Sequence, residues 1–294
     1  MIVEGRIERY SRSAAVLLQR HASMVGRIHS RYARILNIQT PDGQLLTLQG
    51  PGPLQAPCAA SLTEDLERWA PHLAPGDLVV QGHPSSAVLR LSTIGATLWD
   101  GRLLPLANLT ATKCRDTAAK LARWLDQNAK EQGITPVLAA RHGAAARSPL
   151  HRRLSDALMP MPTSRHVSAG SIGEMAAQLI GLGEGLTPSG DDLLVGFLAV
   201  LHLTGAAAVL SNAPAWLEPL VANTTDLSAA FIRCALEGHF SEPMVRFLHA
   251  LYSVEPCDWQ TPAADLARVG HSSGVDAMVG IVFANQLFGS THAT

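Results

Sequence analysis

Two stretches of this chain hold residue types that a packed apolar core has little use for. The first is Gly181-Leu182-Gly183-Glu184-Gly185-Leu186-Thr187-Pro188-Ser189-Gly190-Asp191-Asp192, and the second is Gly270-His271-Ser272-Ser273-Gly274-Val275-Asp276. Each runs into an apolar segment, and the two share a pattern. Ser189 to Gly196 and Ser273 to Gly280 both read Ser-Gly-x-Asp-x-x-Val-Gly. Alternating glycines, hydroxyls and carboxylates at a helix start are suited to holding a small polar ligand.

Thr187 can cap a helix, and Pro188 suits its first position, where a missing N–H costs nothing. Glycines let a ligand approach the backbone closely. Unpaired first-turn amides and the helix dipole favour an anion, by ~0.3–1 kcal/mol for a surface charge. On this reading Gly183, Gly185, Thr187, Ser189, Gly190, His271, Ser272, Ser273 and Gly274 hold the anionic part of a ligand. Asp191, Asp192 and Asp276 are the candidate catalytic carboxylates.

Known nucleotide loops do not fit. Gly185 and Gly190 have the spacing of a phosphate-cradling loop, but Asp191-Asp192 stand where Lys and Ser/Thr belong. Leu186 occupies the third glycine of the dinucleotide fingerprint. Carboxylates beside an anion site suit a ligand with one anionic and one N–H-rich end, such as a carbamoyl compound. They also suit a phosphate bridged by Mg2+. A purely structural role stays open: Gly196 and Gly280 fit close helix packing, and an Asp in a first turn complements the dipole.

Composition narrows the rest. Residues 1–165 carry 20 Lys+Arg against 12 Asp+Glu, and residues 166–294 carry 3 against 12. The basic first half and acidic second half attract one another or, as readily, present solvated faces. The only lysines are Lys113, Lys120 and Lys130, which excludes Schiff-base chemistry in the second half. Cys58, Cys114, Cys234 and Cys257 form no CxxC pair, as expected of reduced thiols in the cytoplasm. Histidines such as His21, His29, His83, His166, His202, His239 and His249 lack metal-ligand spacing. Basic and aromatic residues do not interleave, so no nucleic acid is expected as partner. Residues 1–22 are broken by Glu4, Arg6, Glu8, Arg9 and Arg12 and do not read as a signal peptide. Leu193 to Leu210 lacks charge and is about the minimum length for a membrane span. It reads better as a buried helix ending near Thr204-Gly205, and no membrane partner is expected.

Stepping outward, residues 7–22 have helical spacing through Ile7, Tyr10, Ala14, Leu17 and Leu18. Residues 34–48 read as a hairpin turning at Pro41-Asp42-Gly43. Short strands follow at 77–81, 87–92 and 96–100, and a short helix at 63–69. Residues 116–131 form an amphipathic helix. From Ser171 onward the pattern is helical, with Thr224/Thr225 capping a segment through Leu236. The fold class expected is α+β: a small N-terminal β-barrel or sandwich with flanking helices, then an all-helical domain. The expected divisions are a β-rich domain over 1–138, a basic linker with a short helix over 139–170, and a helical domain over 171–294.

The first stretch, with its Thr-Pro-Ser-Gly-Asp-Asp core, resembles the signature of a bacterial family typified by the small subunit of oxamate carbamoyltransferase. The second stretch is similar to that family's C-terminal signature, and the hairpin at 34–48 fits its N-terminal pattern. Glu184, Ser272 and Val275 depart from the residues expected there, which are proline, threonine and a larger aromatic. The resemblance implies a subunit acting with other protein subunits in allantoin and purine breakdown. The implied reaction converts oxalurate and phosphate to oxamate and carbamoyl phosphate. Thr187, Ser189, Gly190, Ser273 and Gly274 would then hold the anionic group, and Asp191, Asp192 or Asp276 would receive the amide. Two other readings remain: a non-catalytic scaffold subunit, and a Mg2+-dependent hydrolase of a phosphorylated metabolite.

Overall fold

The computed structural model describes residues 2–21, 23–81, 88–140, 148–158, 168–211 and 213–290. The chain forms two compact units. The first comprises Met1–Arg102 with His239–Pro243, and the second Leu103–Gly238 with Met244–Thr294. The division therefore falls at Arg102/Leu103, ahead of the 139–170 connection. Much of that connection lies outside the described residues.

The first unit is a β-barrel. Its strands are β1 (Val3–Ser11), β2 (Met24–Arg31), β3 (Ile35–Gln39), β4 (Leu45–Gln49), β5 (Ala59–Leu62), β6 (Leu78–Gln81), β7 (Leu89–Ser92) and β8 (Thr97–Trp99). The neighbour order β5-β4-β3-β2-β6-β7-β1 closes on itself through antiparallel pairing of β1 with β5. The eighth strand is extra, running parallel to the end of β1 at Arg9–Ser11. Closure leaves those seven strands without a free edge. Ile7, Ile28, Leu36, Ile38, Leu46, Leu48, Leu62, Val79 and Leu89 fill the interior.

The β1 strand corrects the helix expected over residues 7–22. Val3, Gly5 and Ile7 are buried, while Glu4, Arg6 and Glu8 are exposed, which is period two. Helix α1 (Arg12–Arg20) begins only after Ser11, whose hydroxyl accepts from the Ala14 N–H at 3.1 Å. The hairpin of β3 and β4 forms as expected, with Gly43 at φ +78°. Asp42 in its turn accepts from Thr40 and pairs with Arg20 and His21 at the end of α1. Those partners hold its carboxyl well below the usual range, the Thr40 hydroxyl most of all.

Beyond Arg102 the chain is helical. The elements are α2 (Ala111–Asn128), α3 (Pro136–Ala140), α4 (Pro149–Leu158), α5 (Ala169–Leu179), α6 (Ser189–Leu203), α7 (Ala213–Val221), α8 (Asp226–Leu236), α9 (Glu242–Leu251), α10 (Gln260–Ala267) and α11 (Ser273–Gly289). Helix α2, assigned by its sequence position to the first domain, packs against α11 in the second unit. Helices α6 and α11 are buried almost all round, as their apolar sequences require. No helix among the described residues is long and apolar enough to cross a membrane. The uncharged run from Leu193 ends its helix at Leu203, capped by Thr204.

Helices α6 and α11 cross at glycines. A β-carbon on Gly196 would overlap the Ala277 carbonyl, and one on Gly280 would overlap the Leu193 carbonyl. Each helix thus rests its backbone on the other. The packing role foreseen for these two glycines is met, and it places the two Ser-Gly-x-Asp starts side by side.

Candidate functional site

The loop ahead of α6 turns back on itself. Gly181 has φ +76° and Gly183 φ +131°, both in the region that favours glycine. At Gly183 a β-carbon would lie 2.6 Å from the Ser189 N atom, so the loop can fold onto the helix start only without one. Glu184, Gly185 and Leu186 form the exposed tip. Helix α6 is capped by Pro188 rather than Thr187. The Pro188 carbonyl accepts from Asp191 N at 2.9 Å and Asp192 N at 3.2 Å.

Thr187 faces the second motif instead. Its hydroxyl lies 2.6 Å from that of Ser273, 86 positions on. One of the two donates to the other, and one proton remains to point elsewhere. This contact joins the two sequence motifs directly.

The glycines after each Ser behave alike. Gly190 N donates to the Leu182 carbonyl at 2.8 Å, and Gly274 N to the Val269 carbonyl at 3.2 Å. Side chains there would overlap the carbonyls of Leu179 and Leu266. Both amides expected to face an anion are therefore already engaged by the chain. Gly190 and Gly274 seat the preceding segment onto each helix start.

The three aspartates differ sharply in their surroundings. Asp191 is fully buried, and protein donors surround its carboxyl. Oδ1 accepts from Gly181 N at 2.8 Å, while Oδ2 accepts from Ser228 Oγ at 2.7 Å and from the Thr224 hydroxyl. Asp191 thereby ties the end of α5, the glycine loop and the start of α8 together. Asp276 is fully buried too. Its Oδ1 accepts from Ile134 N at 2.8 Å and its Oδ2 from Ser272 Oγ at 3.0 Å. Gly133 sits so close that a β-carbon there would overlap this carboxyl. Gln132 Nε2 donates to the His271 carbonyl at 3.0 Å, securing the same turn. The His271 side chain itself is exposed.

Asp192 is 8% exposed, and its Oδ2 is buried with no hydrogen-bond partner. Burial raises its pKa well above the usual 3.8, and the nearby Asp276 charge raises it further. Hydroxyls of Ser273 and Thr187 oppose this. Burial also raises Asp191 and Asp276, offset by the donors around each. Of the three carboxyls, Asp192 alone has an oxygen without a hydrogen-bond partner.

A hard cation fits this arrangement poorly. Mg2+ wants several oxygens in octahedral array. Here N–H and O–H groups already point at both oxygens of Asp191 and of Asp276. No group of three or more His, Cys, Asp or Glu among the described residues is arranged to hold a metal ion.

The sequence reading missed the groups that hold these carboxyls, namely Ile134 N–H, Thr224 and Ser228. A backbone donor leaves no sequence signal, Thr224 stands out in the sequence only as a helix-cap residue, and Ser228 does not stand out at all. Arg152 and Arg153 are exposed. His83 and His166 lie outside the described residues.

Two family models match the chain. Residues 179–285 match the one described as oxamate carbamoyltransferase subunit AllH, a span containing both motifs. Residues 7–98 match the AllH family N-terminal domain, which covers most of the barrel. No solved structure matches the chain.

Proposed function

From its membership of the AllH family of oxamate carbamoyltransferase subunits, we propose that this chain contributes the carbamoyl-handling site of such an enzyme. The reaction is oxalurate plus phosphate to oxamate plus carbamoyl phosphate, a step of allantoin and purine breakdown, carried out with other protein subunits. A phosphate oxygen attacks the ureido carbonyl carbon. The bond from that carbon to the oxamyl nitrogen breaks, and the nitrogen takes up a proton.

The observation that carries the reading is the Asp192 Oδ2 atom, buried without a partner where the two motifs touch. A carboxyl whose pKa is raised by burial and by a like-charged neighbour is suited to give a proton to a departing amide nitrogen. Thr187 and Ser273 orient it. Asp191 and Asp276, bonded to the chain on both oxygens, act as positioning residues that fix the loop and the 132–134 turn. Rigid placement of this kind lowers the barrier mainly by orientation and preorganised electrostatics. The ligand is a small carboxylate or carbamoyl phosphate.

A second reading, a non-catalytic scaffold subunit, draws support from the engaged amides of Gly190 and Gly274. Carbamoyl transfer by the reconstituted complex separates the two. With Asp192→Asn, turnover should fall by about 10²–10⁴-fold, the usual worth of a positioned acid. Wild-type turnover by a complex carrying this variant would favour the scaffold.

A further inference from the structure

The likeness of the two motifs extends back into the helices ahead of them. A β-carbon on Gly190 would meet the Leu179 carbonyl at 2.2 Å, and one on Gly274 the Leu266 carbonyl at 1.8 Å. Leu182 N donates to Leu179 O and Val269 N to Leu266 O, each at 2.9 Å. The carbonyls of Leu182 and Val269 in turn accept the Gly190 and Gly274 amides. Each of these two residues is followed by a glycine of positive φ, Gly183 at +131° and Gly270 at +65°. Helices α5 and α6 are therefore one copy, and α10 and α11 a second copy, of the same helix-turn-helix unit. Their contact is reciprocal: Gly196 meets the Ala277 carbonyl and Gly280 the Leu193 carbonyl, at matching positions of the two motifs. Contacts of i with j and of j with i are what an approximate two-fold axis produces. Asp192 and Asp276 are equivalent across it.

The copies differ where the aspartates find partners. Asp276 accepts from Ser272 Oγ, four positions before it, at 3.0 Å, and from Ile134 N at 2.8 Å. The residue four before Asp192 is Pro188, which has neither a hydroxyl nor an N–H to give. The 132–134 turn serves Asp276, and among the described residues no chain group takes the corresponding place at Asp192 Oδ2. The connections differ as well. His271-Ser272 leads from Gly270 straight into α11, whereas Glu184-Gly185-Leu186-Thr187-Pro188 leads from Gly183 into α6. One carboxyl is closed by the chain and its twin is open.

We infer that the first copy is the ligand-taking half of a duplicated unit, that Pro188 is the specificity-determining residue keeping it open, and that an amide nitrogen of the ligand lies at Asp192 where the Ile134 nitrogen lies at Asp276. This rests on the reading of Asp192 given above and names the ligand group that meets it. Once the proton of Asp192 has passed to the departing nitrogen, the carboxylate accepts an N–H of the newly formed oxamate amide. A planar amide with its N–H toward a carboxyl oxygen is the arrangement that the chain itself builds at Ile134. A serine at position 188 would instead bring to Asp192 the hydroxyl that Ser272 brings to Asp276.

The complex reconstituted with its partner subunits tests this. Pro188→Ser should lower kcat/KM for oxalurate about tenfold or more, as loss of one hydrogen bond to a charged group does. Pro188→Ala, which brings no hydroxyl, should turn over like wild type. Carboxyl carbon NMR of the full chain gives a second readout. The aspartate resonance missing from Asp192→Asn should move when oxamate is added to wild type, and the one missing from Asp276→Asn should not. This spectrum decides the matter even where Pro188→Ser fails to fold: movement of the Asp276 resonance, or stillness of both, overturns the inference. If Asp192→Asn loses turnover while Pro188→Ser keeps it, or Pro188→Ala loses as much as Pro188→Ser, the role of Pro188 is overturned and the Asp192 reading stands. If Asp192→Asn turns over like wild type, that reading falls and this inference with it.

Discussion

Replacing Asp192 by Asn retains the shape of the side chain and deletes its charge. Whether an amide or a neutral carboxyl occupies the position, a polar atom remains unpaired, a constant cost of about 1–3 kcal/mol. The informative quantity is the pH dependence. In the unfolded chain this carboxyl loses its proton near 3.8, while in the fold burial and Asp276 keep the proton on to well above that value. Above 3.8 the folded wild type therefore binds more protons than the unfolded chain, and its stability falls as pH rises. Linkage sets the slope at about 1.4 kcal/mol per pH unit for one group, continuing until the folded carboxyl ionises. The variant lacks this term. Its stability relative to wild type should climb by about 1.4 kcal/mol for each unit of pH above the unfolded value, then level off. Urea unfolding at a series of pH values, followed by far-ultraviolet circular dichroism to weight the helical unit, measures the difference. A stability difference independent of pH between 4 and 7 would refute the burial argument for Asp192, whatever its absolute size.

Two further changes probe the framework. Asp191→Ala strips the acceptor from the Gly181 amide and from the Thr224 and Ser228 hydroxyls. It should cost about 3–5 kcal/mol in urea unfolding, as breaking a buried charged network does. Gly196→Ala forces a methyl onto the Ala277 carbonyl; despite better helix propensity, overpacking should cost about 1–3 kcal/mol by thermal melting. As a control, a β-carbon on Gly173 in α5 meets nothing nearer than Trp216 at 3.6 Å. Gly173→Ala should gain about 0.5–1 kcal/mol.

How much of this was legible in the sequence follows from the range of the interactions. Helix α6 could be read to within a residue because Pro188 and Thr204-Gly205 bracket an unbroken apolar run. The hairpin at Asp42-Gly43 was readable for a similar local reason. The strands β2 and β5 were not foreseen. Ala59-Ala60-Ser61-Leu62 is buried throughout and shows no alternation, and one of its two partner strands, β1, is far along the chain. The β1 strand was mistaken for helix because Ile7, Tyr10 and Ala14 happen to fit a helical face, although Val3 to Glu8 alternates.

In the site, the doubled Ser-Gly-x-Asp pattern announced that two helix starts matter together. It could not say which aspartate does what. Asp191 and Asp192 are adjacent, and on a helix of 3.6 residues per turn they point about 100° apart. Only packing decides that one meets Thr224 and Ser228 while the other meets Thr187 and Ser273.

The closing seam of the barrel has a consequence for how the protein is made. Residues 3–11 leave the ribosome ahead of the other strands of the barrel, yet their partners are 59–62, 89–92 and 97–99. The earliest strand is therefore satisfied last, and during synthesis its hydrogen-bonding edges wait open for some ninety residues of further chain. Waiting edges of this kind invite misassociation, and distant pairings slow folding. The alternation of Glu4, Arg6 and Glu8 along that strand keeps one side of it charged throughout the wait, which is how nascent edges avoid one another.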